Sequence, residues 1–285
     1  MLLILLAVIS LILSAIFCWL GSPIYLFPVF FIGCYLALFL AALLFLLIAC
    51  ALVNKEKPQE KDSRLFRWIA RYYLQAAFPL AGVRFHTQGL EKLPKDGRYL
   101  LVCNHIHDLD PAILLHIFHK SRLAFIGKRE VKDMFLIGSL MHKLQCQLIN
   151  RENDREALKT ILTCIDILKA DKASIGVFPE GYVSLSGKLF HFRSGVFKIA
   201  QKANVPVVVC TINGSKEVLP ALKKLKPSHV HVHLVDVIPA DTVKQTNTVE
   251  LAEQVYEMMV ADLGEAYRTD EKAMHPDLQR EKFGR

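Results

Sequence analysis

Tyr99-Leu100-Leu101-Val102-Cys103-Asn104-His105-Ile106-His107-Asp108-Leu109-Asp110-Pro111 is the stretch on which the fold reading turns. Tyr99 to Cys103 is apolar throughout, which suits a strand covered on both faces; a strand with one wet face would alternate. Pro111 then opens a run with helical spacing, and proline is at home in a first helical turn. The stretch therefore reads as buried strand, polar loop, helix. Loops at the carboxyl ends of such strands are where open α/β sheets place their sites.

The same alternation continues outward in both directions. Strands are predicted over 83–87, 99–103, 123–126, 147–150, 175–178, 207–212 and 230–238, and helices over 111–119, 132–144, 155–170, 195–203 and 249–267. Strand-helix alternation predicts an α/β domain with a mostly parallel sheet flanked by helices. The predicted organisation is a hydrophobic helical hairpin over 1–54, a basic linker with an amphipathic interfacial helix over 55–82, the α/β domain over 83–268 and a polar tail over 269–285.

The hairpin rests on composition. From Met1 to Asn54 there is no Asp, Glu, Lys or Arg, and Gly21-Ser22-Pro23 divides two apolar runs, 2–20 and 26–53. Each is long enough to cross a hydrocarbon core of roughly 30 Å. A cleaved signal peptide would begin with positive charge and would not be followed at once by a second apolar run. A buried helix pair of a soluble protein would need a polar face to meet water.

Lys55, Lys57, Lys61, Arg64, Arg67 and Arg71 follow directly. By the positive-inside rule they place the α/β domain on the cytoplasmic side of a membrane. Arg64, Arg67 and Arg71 share one helical face, with Leu65, Trp68, Ile69 and Tyr72 largely elsewhere. That pattern suits a helix in the headgroup layer, or an ordinary solvated basic face. The formal charge is +8, but it hugs the anchor and accompanies no nucleic-acid module, so a nucleic-acid partner is not expected. Nothing in the pattern specifies an oligomeric state. Seven cysteines contain no Cys-X-X-Cys pair, which offers neither a zinc site nor a disulfide framework.

For chemistry, the loop after Cys103 has competing readings. Asp110 before Pro111 could simply cap a helix. His105 could be a general base whose ring Asp110 holds in one tautomer. His105, His107, Asp108 and Asp110 could instead hold a metal, although the aspartates fall at the wrong offsets for a His-X-His-X-Asp-His run. Phe178-Pro179-Glu180-Gly181 closes another apolar strand and could be no more than a turn. Lys128, Arg129, Glu130 and Arg151 also sit at predicted strand ends, where they could converge on one rim or remain surface charge. His229, His231 and His233 alternate on one strand, as an exposed polar face does.

Taken together in order, these blocks resemble the 1-acylglycerol-3-phosphate acyltransferase family of glycerolipid acyltransferases, over about Val83 to Gly214. Asn104, His105 and Asp110 match its Asn-His-X4-Asp block; Lys128, Glu130 and Arg151 its second block; Phe178 to Gly181 its Phe-Pro-Glu-Gly; and Val205, Pro206 and Gly214 its fourth. The resemblance implies transfer of a fatty acyl group from acyl-coenzyme A or acyl-carrier protein to the sn-2 hydroxyl of lysophosphatidic acid at a bilayer, with no metal and no held cofactor. It further implies His105 as base, Asp110 as its orienter, and a substrate surface of Asn104, Lys128, Arg129, Glu130, Arg151 and Phe178 to Gly181; Glu180 would accept a hydrogen bond from the glycerol backbone or, the preferred reading, orient a cation. Other lysophospholipids or glycerol 3-phosphate are alternative acceptors. A membrane-tethered metallohydrolase and a non-catalytic lipid binder are alternatives of other classes. The chain departs from the family at Tyr182-Val183-Ser184, where Thr-Arg-Ser is frequent, so Arg193 or Lys188 would have to replace that arginine; Phe135, Gln145 and Val209 depart as well.

Overall fold

The two apolar runs form helices α1, Leu2–Trp19, and α2, Phe27–Ala51, packed as a hairpin with Phe17 stacked on Phe30 at 5.0 Å. At 1.5 Å per residue they are about 27 and 38 Å long, and both are long and apolar enough to cross a membrane. The buried hydroxyls of Ser10 and Ser14 donate to the carbonyls of Leu6 and Ser10, so α1 carries no unsatisfied polar group there. The structure, a computed structural model, describes residues 1–57, 59, 61–150, 153–184 and 186–269. The predicted tail beyond Thr269 lies outside the described residues.

After the linker come α3, Arg64–Leu80; β1, Val83–Gln88; β2, Leu100–Cys103; α4, Asp110–Ile117; β3, Leu123–Lys128; and α5, Phe135–Lys143. Then follow β4, Gln147–Ile149; α6, Asp154–Lys169; β5, Ser174–Val177; α7, Lys198–Ala203; and β6, Val207–Asn213. The last elements are α8, Val218–Lys223; β7, Ser228–Ile238; α9, Ala240–Gln245; and α10, Thr248–Leu263.

Among the described residues the seven strands form one sheet in the order β1-β7-β6-β2-β5-β3-β4, parallel at every step except β6 to β7. The central strands are buried along their length because both faces are covered. Leu100, Val102, Val177, Val207 and Val209 point into one core with residues of α6, α7 and α10. Their alternates Leu101, Cys103, Val208 and Cys210 point into the other, with Ile113 and Leu114 of α4 and Phe78 of α3. Parallel direction brings the carboxyl ends of β6, β2, β5, β3 and β4 to one edge, in that order.

The mostly parallel sheet and the apolar hairpin agree with the sequence reading, and the differences are local. The predicted helix over 132–144 is split: a 3-10 turn spans Arg129–Asp133, Met134 is extended, and α5 begins at Phe135. The predicted helix over 249–267 stops at Leu263, where Gly264 takes φ +101 and a 3-10 turn follows. The short helices α8 and α9 have no counterpart in the reading. In α3, Arg67 leaves the proposed basic face. Its guanidinium pairs with Asp62 at 2.9 Å and donates to the carbonyls of Leu123 and Leu144, joining the helix to β3 and the end of α5. Arg64 and Arg71 remain exposed, as do Leu65 and Trp68.

Candidate active site

The site is built where β2 ends. Asn104 is buried, and its amide forms a pair with the backbone of Ile212: Nδ2 donates to the carbonyl at 2.9 Å and Oδ1 accepts from the N–H at 2.8 Å. It fixes the β2 loop to β6 rather than facing a substrate, which corrects its assignment from sequence.

His105 follows. Its Nδ1 lies 2.9 Å from Asp110 Oδ2. The same carboxylate oxygen accepts from the N–H groups of Ile106 and His107, both at 2.8 Å, and Oδ1 accepts from Ser215 Oγ at 2.5 Å. These N–H groups precede Asp110 in the chain, so the carboxylate folds back into the loop and does not cap α4. The capping explanation therefore fails. Asp110 is fully buried, and four donors surround its two oxygens. An acceptor-only carboxylate at Nδ1 places the ring proton there and leaves the lone pair on Nε2. No described protein group hydrogen bonds to Nε2, and the His105 side chain is 15% exposed.

One face of the imidazole rests on Phe178, ring centroids 4.0 Å apart and planes 18° apart; Phe178 in turn stacks on Phe125 at 5.8 Å. Phe125 has room because residue 176 is glycine. A Cβ there would lie 2.4 Å from the Phe125 ring.

The Phe178-Pro179-Glu180-Gly181 block is a turn closed by Gly181 N–H donating to Phe178 O at 3.0 Å, with Gly181 at φ +79. Pro179 O accepts from Arg193 N–H at 2.8 Å. Glu180 is 1% exposed. Its Oε1 accepts from His105 N–H at 2.7 Å and its Oε2 from Phe190 N–H at 3.0 Å. Burial pushes its carboxyl up to about 8, against the two backbone N–H bonds that pull it down. Glu180 thus orients the His105 backbone and not a cation, a correction to the sequence reading. Ser184 N–H donating to His105 O at 2.7 Å adds a second tie between the two loops.

The predicted cations divide. Lys128 ends β3 on the shared carboxyl edge and is exposed, as is Glu130; neither hydrogen bonds to the His105 loop. Arg129 turns away, toward Glu156 of α6 at 3.5 Å, so it is not part of the histidine site. Arg151 lies outside the described residues. Arg193 lies over the Tyr182 ring at 5.4 Å, its Nε against the place a Cβ on Gly181 would occupy, so it flanks the turn; Lys188 is exposed. Of the metal alternative, His107 Nδ1 accepts from Leu109 N–H at 3.2 Å and Asp108 is exposed. Among the described residues no three histidine, cysteine or acidic side chains converge as ligands.

Two residues of the site escaped the sequence reading. Ser215 supplies the fourth donor to Asp110. Lys216 is partly buried, with Nζ 3.6 Å from the Cβ position of Gly187, and burial lowers its ammonium while Asp110 pulls it back up. The available signal was Gly214, which follows β6 at φ +84; a Cβ there would lie 2.2 Å from His229 O. Such a position needs glycine, and it marks a tight turn at the same edge as His105.

A family model described as Acyltransferase matches residues 84–213. The chain is 32% identical over 177 residues to a probable 1-acyl-sn-glycerol-3-phosphate acyltransferase of Mycoplasma pneumoniae, covering 61% of this chain and 64% of that one, just under two thirds of its length. It is 28% identical over 222 residues to the 1-acyl-sn-glycerol-3-phosphate acyltransferase of Saccharomyces cerevisiae, covering 76% of this chain and 70% of that one. The crystal structure of the 1-acyl-sn-glycerophosphate (LPA) acyltransferase PlsC from Thermotoga maritima superposes with a TM-score of 0.60, covering 93% of this chain and 99% of that one at 22% identity, a likeness of fold.

Proposed function

We propose that this chain is a member of the 1-acyl-sn-glycerol-3-phosphate acyltransferase family, which its similarity to such enzymes supports, and that it moves a fatty acyl group from a thioester to the sn-2 hydroxyl of lysophosphatidic acid, giving phosphatidic acid. The observation that carries this reading is the His105–Asp110 pair, with Nδ1 committed to a buried carboxylate and Nε2 left to accept a proton.

The acceptor hydroxyl gives its proton to Nε2 as its oxygen attacks the thioester carbonyl. Asp110 holds the ring and stabilises the imidazolium. Collapse of the tetrahedral intermediate breaks the carbon–sulfur bond, and the thiolate leaves with the proton from Nε2, so the enzyme returns to its starting state. No protein nucleophile is needed, because a thioester is already activated. Base catalysis of this kind is worth about 10²- to 10⁴-fold; holding the two substrates in attack geometry supplies the rest.

Lys128 and Lys216 stand at opposite sides of the histidine loop along the sheet edge, three strands apart, so the acceptor's phosphate meets one of them, and Lys216, next to Ser215 and in the field of Asp110, suits it. In this reading α1 and α2 lie in the bilayer, the α/β domain is cytoplasmic, and the site takes a lysolipid from the membrane surface. The donor is acyl-coenzyme A or acyl-carrier protein. The test is purified protein offered a panel of lysolipids with each thioester, products read by mass. Phosphatidic acid formed from lysophosphatidic acid, and lost in His105→Ala while the fold persists, supports the reading; activity retained in that variant removes His105 as base.

A further inference from the structure

Beyond Lys128 the shared carboxyl edge reaches the outer strand β4, and beside that strand runs a groove of about 730 Å³. Its walls are α6, the residues after α5 and the linker before α3, and none of its lining belongs to the His105 site. Five cationic side chains, Lys55, Arg129, Lys132, Lys159 and Lys172, face two carboxylates, Glu156 and Asp166. Three of the five are engaged: Arg129 with Glu156 at 3.5 Å, Lys132 with Glu56 at 2.6 Å, and Lys55 with the carbonyl of Lys132 at 2.5 Å. Lys159 and Lys172 make no ion pair among the described residues. The positive field also registers at His142 in the groove wall, which is held low by burial and then by Lys143 and Lys132.

Size and position limit what fits. A concave space of this volume is that of a small-molecule or cofactor site; a docked protein needs a flatter face of about 800 Å². Laterally β4 is three strand steps from β2, roughly 14 Å at the usual strand spacing, and from there the groove runs toward the amino ends of the strands, where Lys172 precedes β5. A pantetheine arm has the reach of four to five extended residues, about 15 Å. A ligand with phosphates at one end and a thioester at the other would span that gap.

We propose that this groove binds the phosphorylated adenosine end of an acyl-coenzyme A donor, with the pantetheine arm laid over the carboxyl ends of β3 and β5 and the thioester at His105. The inference rests on the acyl-transfer reading of that site. Lys159, beside the β4 end of the groove, is free to pair with the phosphates nearest the arm, where Arg129 joins it by exchanging Glu156 for a phosphate oxygen, and Lys172, farther down the groove before β5, with the 3′-phosphate.

The test uses the full-length chain in detergent and the charge reversal K159E/K172E. Calorimetric affinity for adenosine 3′,5′-bisphosphate is expected to fall at least about tenfold, roughly 1.4 kcal/mol, and KM for acyl-coenzyme A to rise by a similar factor. kcat and KM for the lysolipid stay unchanged, and the neutral pair K159Q/K172Q falls between. Wild-type protein that does not bind the bisphosphate, or binding and KM unmoved by the reversal, overturns the proposal. So does a reversal that weakens adsorption to phosphatidylglycerol vesicles while bisphosphate binding persists, which would make the groove a lipid-headgroup site. Wild-type protein that binds the bisphosphate through these lysines yet acylates no lysolipid supports the groove and overturns the acyl-transfer reading instead.

Discussion

The plane of the His105 imidazole is set by a residue with no side chain. Gly176 leaves space for Phe125, Phe125 supports Phe178, and Phe178 supports His105. Gly176→Ala puts a methyl 2.4 Å from the Phe125 ring, so the stack must shift. A displacement near 1 Å in attack geometry costs on the order of 10²-fold. The expected result is a kcat lowered by that order with substrate KM little changed, measured by steady-state kinetics; unchanged kcat would detach the stack from catalysis. Asp110→Asn acts more directly. An amide at this position turns a donor toward Ile106 N–H, His107 N–H or Ser215 Oγ, and it favours the wrong tautomer of His105. A loss of about 10⁴-fold in kcat is the scale seen for wrong-tautomer changes in hydroxyl-activating triads. Glu180 gives a pH signature. Its folded value near 8 is above its ordinary 4.5, so the folded protein holds a proton that the unfolded chain releases. That contribution to stability is complete below about 4.5 and is lost as pH rises through about 8. Tm should fall across that window, and Glu180→Gln, which cannot titrate, should flatten the decline; a slope identical to wild type would remove Glu180 as its source.

At the scale of elements, helix α3 shows what pattern reading captures and where it stops. Its apolar and basic residues were legible as an amphipathic helix. That Arg67 turns inward was not, because its partners Asp62, Leu123 and Leu144 meet it only through the tertiary fold. The central strands were legible because unbroken apolar runs are what two-sided burial requires, as in Leu100 to Cys103. The split of the helix before Phe135 was hidden. There Lys132 O passes 2.3 Å from the Cβ position of Gly138, a close approach within one stretch whose helical spacing gave no sign of a break. In the site, the spacing of His105 and Asp110 left a helix cap, a general-base pair and a metal site open and the order of the following blocks favoured the pair, whereas Glu180 was read as orienting a cation until burial and two backbone donors assigned it to the loop. Arg67→Ala removes a mostly buried cation and three of its contacts, leaving Asp62 unpaired; a loss of about 3 kcal/mol follows from breaking a buried pair. Thermal unfolding in detergent reads this, and a change near zero would show that the clamp contributes nothing.

At the scale of the whole molecule, the apolar hairpin is not a detachable leash. Cys50, at the end of α2, is buried in one cluster with Phe66, Ile69, Ala70 and Leu144, and Leu46 and Ala49 pack against it. Ser139 Oγ donates to the Cys50 carbonyl at 3.1 Å and Tyr73 OH to the Ala42 carbonyl at 2.5 Å. The last three turns of α2 therefore serve the α/β domain as a core helix, whatever its first half does in a bilayer. Two truncations separate these roles. A chain starting at Lys55 loses the cluster and exposes Phe66, Ile69 and Leu144. A chain starting at Tyr35 keeps it while discarding α1 and the start of α2. Burying one large apolar side chain is worth about 1.5 to 3 kcal/mol, and several are at stake. The longer truncation product should unfold at a clearly higher temperature than the one beginning at Lys55 when both are measured in the same detergent. Equal unfolding temperatures would mean that α2 is an anchor only, and that its contacts with α3 and α5 do not stabilise the domain that carries His105.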